Sequence, residues 1–114
     1  MDPELEIRHY VDRRGRDIFG RWLASLGDTR ARAKIAVRLN RLAARKFGDC
    51  KAIGQGLFEL RVDWGPGYRV YFARIGELLI LLLCGGDKRK QTRDIEYARA
   101  FLKDYKQRTP ANEN

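Results

Sequence analysis

The sequence predicts an α+β domain ordered β-α-α-β-β-β-α, in which an antiparallel meander carries the first strand beside the last and the helices pack on one sheet face. Three observations predict it. Residues Leu57–Val62 and Arg69–Phe72 alternate apolar and polar across a glycine- and proline-rich turn, which describes a hairpin. The run Leu78–Cys84 is apolar at every position, which describes a strand covered on both faces. Apolar residues recur at helical spacing before and after these strands.

Taken in order, Leu5, Ile7, His9 and Val11 alternate with Glu4, Glu6, Arg8 and Tyr10, giving a first strand with one apolar face. His9 falls on that face, where a packed or partly covered histidine is the simpler reading than a catalytic one. Asp12-Arg13-Arg14-Gly15 breaks the strand. A short helix spans about Arg16–Leu26, with Phe19, Trp22, Leu23 and Leu26 on one side and Gly27 as its stop. Asp28 or Thr29 caps a second helix that runs to about Lys46. Its stripe is Ala31, Ile35, Leu39, Leu42 and Ala43, and the rest of its surface is basic. That basic surface is a solvated face, a site for an acidic partner or a site for RNA phosphates.

Phe47–Lys51 reads as a loop, and Gly54 and Gly56 lead into the hairpin Gly56–Tyr71. Its turn, Asp63-Trp64-Gly65-Pro66-Gly67, combines a fixed φ at proline with free φ at glycine. A strand apolar on both faces belongs inside its sheet, yet Leu78–Leu83 ends the meander. The first strand, Glu4–Tyr10, is therefore assigned beside it, giving the order first, fourth, third, second. Gly85-Gly86 reads as a hinge leading into the basic loop Asp87–Arg93, and a last helix spans about Asp94–Lys106.

The chain has 114 residues, 44% hydrophobic and 34% charged, which suits a single domain over residues 1–114 with a frayed tail over 108–114. A net charge of +9 favours a polyanionic partner such as nucleic acid, an acidic protein or, less readily, an anionic membrane surface. The opening MDPELEIRHY has acidic residues and no apolar h-region, and the longest apolar run is too short to cross a bilayer. A cytoplasmic protein without membrane contact is expected. Cys50 and Cys84 lack metal-ligand spacing and His9 is the single histidine, so no metal site is expected and both thiols should be reduced.

The chemistry-bearing residues gather around the hairpin. Arg61, Arg69 and Glu59 share its polar face, and Lys88, Arg89, Lys90 and Arg93 follow the next strand. Cations can hold a phosphate and stabilise the added charge of a pentacoordinate transition state. A polar group can take the 2′-hydroxyl proton of RNA, whose own oxygen is then the nucleophile, so no metal or cofactor is required. Arg69, Arg61, Lys88 and Glu59 are the candidate catalytic residues, with Arg89, Lys90 and Arg93 as binding cations. Tyr68 or Tyr71 stacks on an exposed base, or packs in the sheet. Glu59 is that polar group, or an ion-pair partner of Arg61 or Arg69.

The stretch GLFELRVDWGPGYRVYF, the apolar strand and CGGDKRKQTRDIEYA together resemble the RelE/ParE toxin superfamily, most closely its HigB-like branch of addiction module killer proteins. The resemblance covers nearly the whole chain. It implies a RelE-like fold and a toxin of a type II toxin–antitoxin module, acting as a metal-independent, ribosome-associated mRNA endonuclease. By motif, Arg69 matches the arginine at the scissile phosphate, Arg61 a catalytic or substrate-binding lysine, and the Lys88–Lys90 loop the last cationic position. Glu59 stands where RelE-like enzymes often have a lysine, and Ile95 occupies the region of a family tyrosine. The catalytic histidines of some HigB members have no counterpart here. The implied partners are a cognate antitoxin of small helix-turn-helix type, the ribosome and mRNA. The same resemblance admits a ParE-like inhibitor of DNA gyrase that cleaves nothing, or an inactive toxin relic that binds RNA.

Overall fold

A computed structural model describes residues 2–109. Its elements are β1 (Glu6–His9), α1 (Ile18–Ser25), α2 (Thr29–Ala43), β2 (Cys50–Gly54), β3 (Leu57–Val62), β4 (Tyr68–Ile75), β5 (Leu79–Asp87) and α3 (Gln91–Arg108). A single 3-10 turn, Lys88–Lys90, joins β5 to α3. The strands form one mixed sheet in the order β1-β5-β4-β3-β2. The arrangement is consistent with a RelE-like fold. No helix among the described residues is long and apolar enough to cross a membrane.

The expected placement of the first strand holds. β1 pairs in parallel with β5, Ile7 opposite Ile80 and His9 opposite Leu82. β3 and β4 form the hairpin, with Leu60 opposite Val70 and Arg61 opposite Arg69. Both early helices begin on an aspartate. Asp17 accepts from the Gly20 N–H at 2.9 Å, and Asp28 accepts from the N–H groups of Arg30 and Ala31. These carboxylates satisfy donors that a helix start leaves free. His9 is partly covered, as expected: at the sheet edge its ring packs edge-on against Phe19 at 5.2 Å and its Nδ1 lies 2.8 Å from Asp17.

The sheet has five strands where four were expected. β2 occupies what reads as a loop, pairing Cys50 with Leu60 and Ala52 with Phe58. Lys51 and Ala52 have weak strand preference, and an edge strand needs little apolar surface. The helices also cover both sheet faces, which corrects the one-sided arrangement. α1 and α2 lie over Leu60, Val70, Phe72, Ile80 and Leu82, burying Phe19, Ile35 and Leu42. α3 lies over Leu57, Tyr71, Ala73, Leu81 and Leu83, burying Ala98 and Leu102. A strand apolar on both faces requires cover on both, and α3 supplies the second layer.

Gly85 and Gly86 are strand residues, not a hinge. They pair with Val70 and Arg69. Their lack of side chains serves close approach. A Cβ at Gly85 would lie 2.3 Å from Trp22 Cε3, and one at Gly86 would lie 1.9 Å from Asp94 Oδ2. α2 stops at Ala43, short of Lys46, and Arg45 turns the chain with φ 65°. α3 extends through Arg108, so the first residue of the expected frayed tail is ordered. Arg108 Nη2 donates to the Val11 carbonyl at 2.6 Å and lies 2.7 Å from Asp104. Residues 110–114 of that tail lie outside the described residues.

Candidate functional site

Strand alternation places Glu59, Arg61, Arg69 and Tyr71 on the α3 face of the sheet, at the end that α3 leaves partly open. The hairpin turn and the basic turn meet there. Gly67, at φ 83°, accepts the Lys88 N–H on its carbonyl at 2.9 Å. The left-handed φ at Gly67 is what requires glycine, and it lets the hairpin turn close against Lys88. The result is a cleft of about 410 Å³. Arg61, Arg69 and Lys88 line it with the turn residues Gly65, Pro66 and Gly67, and with the carboxylates Asp49 and Asp63.

The turn is pinned from the other side. Trp64 Nε1 donates to Asp28 at 3.0 Å, and Lys34 Nζ sits 4.5 Å above the Trp64 ring. The residue that caps α2 therefore also anchors the lip of the cleft.

Glu59 lies beneath the arginines, 0% exposed. Arg61 Nε donates to Oε1 at 3.0 Å, Gln91 Nε2 donates to Oε2 at 2.6 Å, and Arg69 Nε is 3.9 Å from Oε1. Burial pushes this carboxyl up, but the hydrogen bonds from Arg61 and Gln91 and the nearby arginine charges outweigh it and hold it below its ordinary value. Glu59 is thus the buried ion-pair partner of Arg61. Sealed and ionised, it has no access to a substrate hydroxyl. The hydrogen bond to Glu59 holds the Arg61 guanidinium above its ordinary value in turn.

The tyrosines are placed differently from the stacking expectation. Tyr71 is 0% exposed beneath α3, and burial drives its hydroxyl upward. Tyr68 points to the opposite face, packing edge-on against Trp22 at 6.1 Å. Neither presents a ring to the cleft, because alternation and α3 between them take both. The binding cations diverge as well. Arg89 pairs with Asp87 at 3.2 Å, Arg93 pairs with Asp94 at 3.4 Å, and Lys90 is exposed at the start of α3. None of these three lines the cleft.

Three contributors escape a reading of the sequence: Gln91, Asp49 and Asp63. Asp63 carried a signal, standing in the turn directly after Val62. Asp49 comes near through the backbone, its carbonyl accepting the Arg61 N–H at 2.9 Å. Asp94 is a further buried carboxyl, set against Gly86 and held above its ordinary value by burial. Three cations in a concave site are an arrangement that can hold an oxyanion.

Residues 21–112 match the family described as phage derived protein Gp49-like (DUF891). An uncharacterized protein of Haemophilus influenzae is 46% identical over 86 residues, covering 75% of this chain and 87% of the relative. Both the hairpin and the basic turn fall within the matched region, and the chain belongs to the phage-derived Gp49-like family.

Proposed function

We propose that the protein is the toxin of a type II toxin–antitoxin module, of the HigB-like branch, and cleaves mRNA as a ribosome-associated endoribonuclease in the cytoplasm. The observation that carries this reading is the meeting of Arg61, Arg69 and Lys88 in one cleft, from three separate chain segments. Membership of the Gp49-like family is consistent with a RelE- or HigB-like toxin. The neutralising partner is a small helix-turn-helix antitoxin.

The chemistry follows from the groups at hand. Arg69 and Arg61 bind the non-bridging oxygens of the scissile phosphate, and Lys88 adds charge from the basic turn. The 2′-hydroxyl oxygen attacks phosphorus while a rim carboxylate, Asp63 or Asp49, takes its proton. The bond to the 5′-oxygen breaks, and that oxygen takes a proton from water, giving a 2′,3′-cyclic phosphate and a 5′-hydroxyl, while the protonated carboxylate returns its proton to the hydroxide left behind. Glu59 holds Arg61 in place and takes no part in proton transfer. A strand-borne arginine meets developing charge at a fixed position, which favours the transition state over the ground state.

The test is primer extension on a message translated in a purified system. The wild type should cut within codons, with EDTA-treated protein retaining its activity on ribosomes supplied with magnesium. Expression without antitoxin should arrest bacterial growth. Intact message, together with blocked gyrase supercoiling, would establish the ParE-like activity instead.

A further inference from the structure

α2 carries five cations, Arg30, Arg32, Lys34, Arg38 and Arg41, and no carboxylate. None of them forms an ion pair among the described residues. Three of these cations, Lys34, Arg38 and Arg41, rim a groove of about 440 Å³ whose floor is Ala33, Val37 and Val62. Val37 is 46% exposed in its middle. The spacing i, i+4, i+7 puts all three cations on one side of the helix.

Two of the cations are held without being neutralised. Arg38 donates Nη1 to the Arg61 carbonyl at 2.5 Å and Nη2 to the carbonyls of Phe47 and Asp49. Carbonyls orient a guanidinium but leave its charge intact. Lys34 is steadied over the Trp64 ring in the same way. Fixed, unpaired charge lowers the ordering cost of binding a carboxylate. The apolar floor then separates the possible ligands. A nucleic-acid backbone meets the cations but has nothing to set on Val37. An amphipathic peptide has both.

We propose that the α2 groove docks an acidic amphipathic helix of a protein partner, with its carboxylates on Lys34, Arg38 and Arg41 and an apolar side chain on Val37. This surface is separate from the cleft and does not depend on the nuclease reading. The two sites touch through Asp63, which lines both. An occupant of the groove therefore ends at the lip of the cleft.

The test uses the full chain and a fluorescein-labelled, alanine-based helical peptide of about 18 residues, with glutamates one turn apart around a central leucine. Anisotropy at physiological salt should show saturable binding. Val37→Ser should weaken it about tenfold, as should replacing the peptide leucine by alanine, and the two changes together should not add. Arg41→Glu should weaken it about tenfold or more. Lys106→Glu, an equal charge change on α3, should alter it by less than about twofold. A uridine oligonucleotide should be indifferent to Val37→Ser. Absence of saturable peptide binding, or binding unchanged by Val37→Ser, overturns the proposal. So does a loss on Arg41→Glu seen with the oligonucleotide and not the peptide, which marks a phosphate track. Circular dichroism confirms that these surface variants fold.

Discussion

Glu59 and Asp104 each gather arginines, and the two clusters are built to opposite ends. Asp104 accepts from the Tyr10 hydroxyl at 2.5 Å, from Arg13 Nε at 2.6 Å and from Arg108 Nε at 2.9 Å. The Tyr10 hydrogen bond leads in holding Asp104 down at about 2. Arg108 uses another nitrogen on the Val11 carbonyl, so the end of α3 is tied to the segment after β1. Glu59 is sealed from water, and its arginines are only partly used. Arg69 Nε is buried with no hydrogen-bond partner, and its Nη1 turns to the neighbouring Tyr68 carbonyl at 3.2 Å. A cluster whose hydrogen bonds join two distant chain segments fastens the fold. A cluster whose arginines line a cleft can meet a ligand there.

The sharpest way to break this comparison is Arg69→Ala. Cleavage should fall about 10²-fold or more, as for loss of one donor to a developing oxyanion, with the circular dichroism spectrum unchanged. Cleavage at the wild-type rate would remove Arg69 from the site. Glu59→Gln comes next. It keeps the shape but takes the negative charge from beneath two arginines, and an uncompensated buried charge costs about 3 kcal/mol. Urea unfolding should show that loss, and cleavage should drop about tenfold as Arg61 loses its anchor. A variant stable as the wild type would mean that the pair contributes nothing to the fold.

The Asp104 cluster should respond differently. Tyr10→Phe removes one hydrogen bond far from the cleft, costing about 1 kcal/mol with cleavage unaltered. The smallest effect is the pH dependence. Burial, then the bond to Asp104, raises the Tyr10 hydroxyl from its ordinary 10.0 to about 12. The folded state resists its ionisation, so this contribution is complete below pH 10 and is lost as pH rises towards about 12. Asp104 is depressed from 3.8 to about 2, so its contribution is complete above its ordinary value and fades as pH falls towards about 2. Denaturation curves across both windows should show both losses in the wild type, and a smaller alkaline loss in Tyr10→Phe.

Much of this was legible in the sequence because it depends on local periodicity. Alternation alone puts Arg61 and Arg69 on one face, and a doubly apolar run alone calls for a strand on each side of Leu79–Leu83. The misplaced features depend on distant partners. Gln91 lies 32 positions beyond Glu59, and no local pattern says that it will close over that carboxylate. Gly85-Gly86 resembles a hinge because its purpose is to make room for Trp22 and Asp94, which arrive from other elements. Tyr71 alternates correctly with Val70 and Phe72, and only the passage of α3 decides that its face is buried. β2 lacks a signal because pairing with β3, and not its own composition, makes it a strand.

The parallel pairing of β1 with β5 also sets an order of assembly. β1 is the earliest strand to leave the ribosome, and its partner is the latest. The β3–β4 hairpin closes over a short turn and can form quickly, whereas joining Glu6 to Leu79 must close a long loop first. Until then the apolar flank of β5 is an open template for another nascent or unfolded chain. The N-terminal strand is therefore the closing piece of the sheet, made first and seated last.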